Sequence, residues 1–411
     1  MQEMSSDKRE RIINEVFGSR DTYDKKRYIK REEYEKELMR EINRYRYVFI
    51  IGESGSGKTW LTNYILPSTK KKNYYINLSE VGMEGGLINF LKRNSAEVKI
   101  ERRTNLNAEI KMPVASGEME SETYYSVMHS YLWEYLEDKK DAIIVLDNFE
   151  SIITQTQILE DLSSLITLAD DPRMKEFNPK FIIIGALTDV LKYFNQMPNY
   201  QTIANRVATV EIKGFTVVET GEFVKKGFSE CSFSSNKYAE LSQKIYDMTG
   251  GFPQAVNDLC YYIAIQHLDA NRTEISDNSD LIYNAQIKWI GKRMLFEYEI
   301  IRKNYNNNLK NDSLLNYILY VLRDYGMREF SVSEIRSKAE QTMDNENASL
   351  GVNKVKTYLY QLADSTQNSN ILEQTVPDGF RIKSNKTLAC LMAVMTDIDG
   401  IPRLQDVEDF R

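Results

Sequence analysis

The chain has 411 residues, 42% of them hydrophobic and 27% charged, with a formal net charge of −7. That length allows two or three domains of ordinary globular composition, and the acidic balance argues against a protein that coats nucleic acid through bulk charge alone, though not against a local basic face. Three distant cysteines (Cys231, Cys260, Cys390) and two histidines (His129, His267) form no zinc spacing and no paired-cysteine motif, which argues against a disulfide framework or a structural metal. The first residues lack the apolar core of a signal peptide, and the apolar runs are shorter than a membrane span, so a cytoplasmic protein with no membrane contact is expected.

Residues 1–45 are charged and helix-prone, with 1–27 set apart as an N-terminal helical extension and 31–38 reading as a helix. Tyr47–Ile51 is a short apolar run of strand type. Directly after it, Gly52-Glu53-Ser54-Gly55-Ser56-Gly57-Lys58-Thr59 matches G-x-x-x-x-G-K-[ST] at every fixed position. Trp60–Leu66 then starts a helix. Further strand-type runs follow at Asn73–Leu78, Ala142–Asp147, Lys180–Gly185 and Ala208–Lys213, separated by helical patterns. Strands alternating with helices predict an α/β fold, a parallel sheet flanked by helices on both faces. The polar-apolar alternation near 97–112 predicts a β-hairpin inserted ahead of a helix at 121–137.

From 214 to 305 the pattern is helical and suits a small lid domain. Asn304–Asp312 is polar and reads as a linker. Leu314–Leu322, Ser331–Lys338 and Val352–Leu362 carry three helical patterns, the second capped by Ser331 or Ser333. Ile371–Val376, a turn at Pro377-Asp378-Gly379, and Phe380–Lys383 read as a hairpin. Three helices and a hairpin outline a winged helix over 309–390, with 391–411 as a C-terminal tail.

The glycine-rich loop carries the strongest chemistry. Its glycines let backbone N–H groups turn inward on a polyphosphate, and the helix N-terminus adds partial positive charge. The nucleoside triphosphate seat is read as Gly52, Glu53, Ser54, Gly55, Ser56, Gly57, Lys58, Thr59 and Trp60. Lys58 reaches the outer phosphates, and the Thr59 hydroxyl is placed to ligate Mg²⁺. Ala142–Leu146 is an apolar strand ending in Asp147, an acid suited to hold Mg²⁺ beside such a loop. Many ATPases of this architecture place Glu directly after that acid, to orient and deprotonate water. Here Asn148 stands there and the nearest Glu is Glu150, which either turns into the site, caps the following helix or faces solvent. Slow hydrolysis is expected. Arg206, just before the last strand, is either a finger reaching a neighbouring subunit's phosphates or a surface ion pair. Thr249–Val256, with Gly250, Gly251 and Pro253, either brings backbone close to a flat base or simply caps a helix.

Together these motifs resemble the P-loop ATPases that include STAND signalling ATPases, archaeal-type ATPases and the origin-recognition branch of AAA+ proteins. Tyr28-Ile29-Lys30-Arg31-Glu32 resembles the Gly-Arg-Glu opening of that group, with Lys30 where Gly is usual. Gly250-Gly251-Phe252-Pro253 resembles the G-x-P element of STAND proteins, whose proline contacts the nucleotide base. The resemblance covers roughly residues 28–390 and implies ATP bound between the core (28–213) and the lid, with Arg206 as the finger. The chain departs from the family in three places. Ile184-Gly185-Ala186 lacks a polar sensor, Pro253 stands where the origin-recognition branch often has a sensor arginine, and no Met-His-Asp motif is present in the winged helix.

Two functions follow as expectations. One is an ATP-hydrolysing, nucleotide-dependent assembly switch that self-associates through its ATPase domain and acts on a partner protein. The alternative is a DNA-binding ATPase of initiator or transposition-regulator type. It would use Asn353, Lys354, Lys356, Tyr360, Arg381 and Lys383 of the winged helix, with Lys70–Lys72 or Arg102-Arg103. Residues 309–386 hold ten basic and ten acidic side chains, so that module is neutral.

Overall fold

β1 (Tyr47–Ile51) is buried at all five positions. A strand reads as an unbroken apolar run when both of its faces are covered. In the computed structural model β1 lies between β4 (Lys180–Gly185) and β5 (Val207–Glu211), parallel to both. With β2 (Asn73–Asn77) and β3 (Ile143–Asp147) the sheet order is β2-β3-β4-β1-β5, parallel throughout. The expected fold class, a P-loop NTPase-like parallel sheet flanked by helices, is therefore present. The last strand runs Val207–Glu211, not Ala208–Lys213, because Val207 pairs with Tyr47 and Glu211 with Ile51. The described residues are 6–18, 23–96, 130–168, 174–186, 193–194, 199–276, 280–305, 313–326, 328–343, 350–364, 370–375, 379–405 and 407. The hairpin expected at 97–112, with Arg102 and Arg103, lies outside them, as do 121–129, most of the 304–312 linker and the turn at Pro377.

Strand order places the site. The chain leaves β1 and β3 on the same, carboxyl edge of the sheet, with β4 between them. Open parallel sheets bind ligands at that edge. Beneath it, Tyr47 stacks on Phe181 at 5.0 Å, and Phe49 meets Phe149 and Phe194 edge-on at 5.9 and 6.1 Å. α2 (Glu32–Arg44) turns Leu38 and Ile42 inward and packs against β1, β5 and α3 (Lys58–Ile65).

The chain divides into two compact units, Lys30–Lys213 around the sheet, and residues 1–29 with 214–411. In the second, α1 (Ser6–Phe17) buries Ile13, Val16 and Phe17. Phe17 packs on Phe223 and Phe228 at 6.1 and 5.5 Å. The helices Val217–Glu230, Tyr238–Thr249, Pro253–Asp269, Asp280–Arg293 and Leu295–Asn304 follow. Then come Leu314–Leu322, Val332–Thr342 and Val352–Ala363, with an antiparallel sheet in the order β6 (Phe330–Ser331), β8 (Gly379–Ile382), β7 (Leu372–Gln374). Ser331 is the cap, closing a capping box with Glu334. Within the stretch read as a tail, helix Asn385–Val394 ends and β9 (Met395–Ile398) pairs with β10 (Ile401–Leu404). The Gln405 N–H then donates to the Val394 carbonyl at 2.8 Å. No helix among the described residues is long and apolar enough to cross a membrane.

His267 gives this unit a pH dependence. It is fully buried, with Nδ1 2.8 Å from the Ile263 carbonyl and the ring edge-on to Phe233. Burial pushes its pKa below the usual histidine value. A depressed folded pKa means that the unfolded chain binds the proton first. Stability is therefore complete above about pH 6.5 and falls below it, by at most about 1.4 kcal/mol per pH unit from this one site. The thermal midpoint is expected to drop between pH 7 and pH 5, and His267→Leu to shrink that drop. Thermal unfolding followed by circular dichroism at both pH values checks it.

Candidate functional site

The loop after β1 turns on glycines that no other residue replaces freely. Gly52 has φ +141, and a Cβ there would meet the Ile212 carbonyl oxygen at 2.4 Å. Gly57 has φ +94 and forms the N-cap of α3. Lys58, the first residue of that helix, is only 8% exposed. Its Nζ donates to the carbonyls of Gly52 and Glu53, each at 2.8 Å. Burial pushes the ammonium below the usual lysine range, and Glu150, Asp147 and Glu53 pull it back up. Ser54, Gly55 and Thr59 are exposed, Ser56 is buried, and Glu53, Gly57 and Trp60 are half-buried.

Asp147 ends β3 within reach of α3. The Thr59 hydroxyl donates to its Oδ2 at 3.5 Å, and the Asn148 N–H to its Oδ1 at 2.8 Å. Burial raises the Asp147 carboxyl, the Asn148 N–H lowers it, Glu150 raises it further, and Lys58 and Thr59 lower it. Thr59 and Asp147 are thus adjacent hard oxygen donors. Mg²⁺ takes such donors, usually one or two carboxylates completed by phosphates and water.

Glu150 is half-buried and turns toward Lys58. Phe149 is fully buried against Phe49, and its Cβ sits where a Cβ on Gly185 would lie only 3.1 Å away. Anchoring Phe149 there bends the chain sharply. Asn148 adopts φ +64, which asparagine tolerates better than most residues, and Phe149–Ile152 forms a short 3₁₀ turn. Glu150 then reaches the end of β4, where its Oε2 accepts from the Ala186 N–H at 2.9 Å. Asn148 points elsewhere. Its Nδ2 donates to Asn77 Oδ1 at 3.0 Å, and Asn77 also caps the helix Leu78–Met83. Asn77 was not singled out in the sequence, because its partner lies 71 positions away.

Arg206 lies at the other end of the strands. It ends the helix Tyr200–Arg206, next to Val207, which pairs with Tyr47 at the start of β1. The phosphate loop begins past Ile51, about 13 Å further along the strand direction. Its Nη1 donates to the Thr167 carbonyl at 2.8 Å, at the C-terminal end of the helix Thr156–Thr167. Lys58, Thr59, Asp147 and Glu150 are thus brought together, and Arg206 is not with them.

Gly250 and Gly251, with φ +63 and +68, end the helix Tyr238–Thr249. A Cβ on Gly251 would meet the Phe215 carbonyl at 2.2 Å, and its own carbonyl accepts from the Phe215 N–H at 2.7 Å. Pro253 is the first residue of the next helix, in the second unit. Helix capping and close packing therefore account for both glycines.

Residues 29–259 match a family described as an ATPase domain predominantly from Archaea. The chain belongs to this family. As a member of an archaeal-type ATPase family it binds nucleotide and hydrolyses ATP, and residues 52–59 within the matched span carry the G-x-x-x-x-G-K-[ST] pattern. Its fold resembles that of a Walker-type ATPase of Pyrococcus abyssi, with 16% identity, a TM-score of 0.52, and coverage of 92% of this chain and 100% of that one. It also resembles the ORC2 protein of Aeropyrum pernix, solved in ADPNP and ADP complexes, with 15% identity, a TM-score of 0.50 and coverage of 92% and 96%. At these identities the likeness is one of fold alone. Among curated proteins none matches the sequence.

Proposed function

We propose that this ATPase is a nucleotide-dependent assembly switch that self-associates through its ATPase domain, in the cytoplasm, and acts on a partner protein. The observation that carries this reading is the place of Arg206, about 13 Å along the strands from its own phosphate loop. An arginine there does not serve its own loop. It serves the loop of a second copy set against that edge. Size-exclusion chromatography with light scattering, with and without ATP and Mg²⁺, tests the switch, and a protein that remains a monomer with ATP overturns it.

Within each site, Lys58 neutralises the outer phosphates, and Thr59 and Asp147 hold Mg²⁺. The metal supplies charge neutralisation at the phosphates. Glu150 orients the attacking water, having taken the task that Asn148 lacks the basicity to perform. Glu150 accepts from the Ala186 N–H, and the lack of a carboxylate directly after Asp147 supports slow turnover. Glu150→Gln is expected to lower turnover by about 10²-fold with little loss of ATP affinity, as for removal of a general base. Phosphate release and binding of a fluorescent ATP analogue measure the two quantities, and unchanged turnover moves the role to Asn148 or to another chain. Asp147→Ala is expected to weaken Mg²⁺-dependent hydrolysis more than nucleotide binding. Pro253 as a contact to the base, in the manner of STAND proteins, belongs to the same reading.

The helices over 314–363 with the sheet β6-β8-β7 are read as a winged helix, and its side chains favour protein docking over DNA. Arg381 is paired with Glu373 at 3.0 Å, and Lys383 donates to Asn370 Oδ1 at 2.6 Å. A DNA phosphate would compete with those partners for the same donors. Duplex DNA binding measured against salt, with and without ATP, separates the readings, since a steep salt slope that depends on ATP favours the DNA reading.

A further inference from the structure

We propose that Arg31 is a positioning residue that couples occupancy of the phosphate loop to the two points where the chain crosses between its compact units. The proposal rests on the reading that residues 52–59 seat the nucleotide. The chain crosses once after Ile29 and again after Lys213. Arg31 stands just past the first crossing, and its guanidinium reaches the second. Nη2 donates to the Lys213 carbonyl at 2.7 Å, and Nη1 to the Ser56 carbonyl, inside the phosphate loop, at 3.2 Å.

The residue is held in place from several sides. It is 4% exposed. Its backbone N–H donates to Glu35 Oε1 at 2.8 Å, its carbonyl accepts from the Glu35 N–H at 2.9 Å, and its guanidinium lies 4.5 Å from the Tyr34 ring centre. A planar guanidinium presents its donors in a fixed fork. It therefore fixes two carbonyls relative to each other in a set geometry, whereas a lysine ammonium is a single point with rotatable donors.

Peptide planarity turns this contact into a linkage. The Ser56 carbonyl and the Gly57 N–H belong to one rigid plane. Gly57 precedes α3, where loop N–H groups receive phosphate. When that N–H turns toward a phosphate, the carbonyl held by Arg31 turns with it. At the other end, the Lys213 carbonyl shares its plane with the N–H of Gly214, the first residue beyond the second crossing. The path from nucleotide to crossing is thus Gly57 N–H, Ser56 carbonyl, Arg31 guanidinium, Lys213 carbonyl, Gly214 N–H. Next to it, the Ile212 N–H donates to the Ile51 carbonyl at 2.8 Å, so the strand that feeds the loop is tied to the same segment.

The test uses the full chain with ADP as the probe. Binding is measured with a fluorescent ADP analogue, and hydrogen exchange by mass spectrometry on peptides covering 28–32, 52–60 and 211–216. In the parent, saturating ADP is expected to slow exchange about tenfold at 211–216 as well as at the loop, a coupling of ordinary size. Arg31→Lys keeps the charge but loses the planar fork and its reach to both carbonyls in one fixed geometry. It is expected to bind ADP within about tenfold of the parent and to keep protection at 52–60, while 211–216 no longer responds, because only the coupling is removed. A folded Arg31→Lys protein with the parent's response at 211–216 overturns the proposal. So does a parent that binds ADP without any response there, and that measurement stands whether or not the variant folds. A parent that fails to bind ADP removes the nucleotide-seat reading, and the proposal falls with it.

Discussion

Lys58→Ala is expected to abolish ATP turnover while leaving the fold intact. The ammonium is buried and donates to the loop carbonyls of Gly52 and Glu53. Its position follows from Gly57, whose left-handed backbone starts α3 one residue earlier. Phosphates entering the loop give this desolvated cation an anionic partner, a stronger one than two neutral carbonyls. Removing such a donor from a preorganised site costs about 10²- to 10³-fold in rate. Stability is expected to change little. The substitution leaves two carbonyls without the lysine donor but also removes a charge that burial disfavours, as its lowered pKa shows. Circular dichroism establishes the fold, phosphate release the turnover, and a fluorescent ATP analogue the affinity. A folded Lys58→Ala protein with the parent's affinity and turnover refutes the assignment of the loop.

The sheet and the loop were legible because their signals are local. Each apolar strand is a short contiguous run, and the phosphate loop is one segment with a strand before it and a helix after it. Residues whose placement depends on distant partners were not legible. Arg31 stood in a recognised stretch, but its carbonyl partner lies 182 positions away, so nothing near it in the sequence showed what its side chain would hold. The direction of Glu150 is hidden for a related reason. Its direction is set by Phe149, which packs closely over Gly185 on a different strand, where a Cβ would lie 3.1 Å away. The order at the end of the chain has no sequence signal because Met395–Ile398 and Ile401–Leu404 are four-residue strands with mixed polarity, too short for periodicity to register. Pairing and the Gln405–Val394 hydrogen bond, not pattern, order that segment.

Arg206→Ala is expected to leave ATP binding by the monomer nearly intact while lowering hydrolysis and ATP-induced association together. β1 and β5 run parallel, and Arg206 sits at the start of the pair while the loop sits at the end. Its guanidinium rests on the Thr167 carbonyl, where the negative end of a helix dipole favours a cation. A second subunit that presents ATP phosphates at this edge offers a full negative charge in place of that partial one. An arginine acting across such a boundary contributes about 10³-fold or more in rate, roughly 4 kcal/mol in the barrier. Loss of the Thr167 contact is a smaller effect, about 1 kcal/mol of stability, so a catalytic deficit of the larger size does not come from weakened folding. Mixing supplies the decisive arm. Neither Arg206→Ala nor Lys58→Ala alone hydrolyses well, but an interface that joins an intact loop on the first to an intact arginine on the second regains the full constellation. Phosphate release from the mixture is expected to exceed that of either variant alone, and light scattering with ATP and Mg²⁺ is expected to show mixed assemblies. A mixture no more active than its parts, beside an Arg206→Ala protein that hydrolyses at the parent rate, refutes action across subunits.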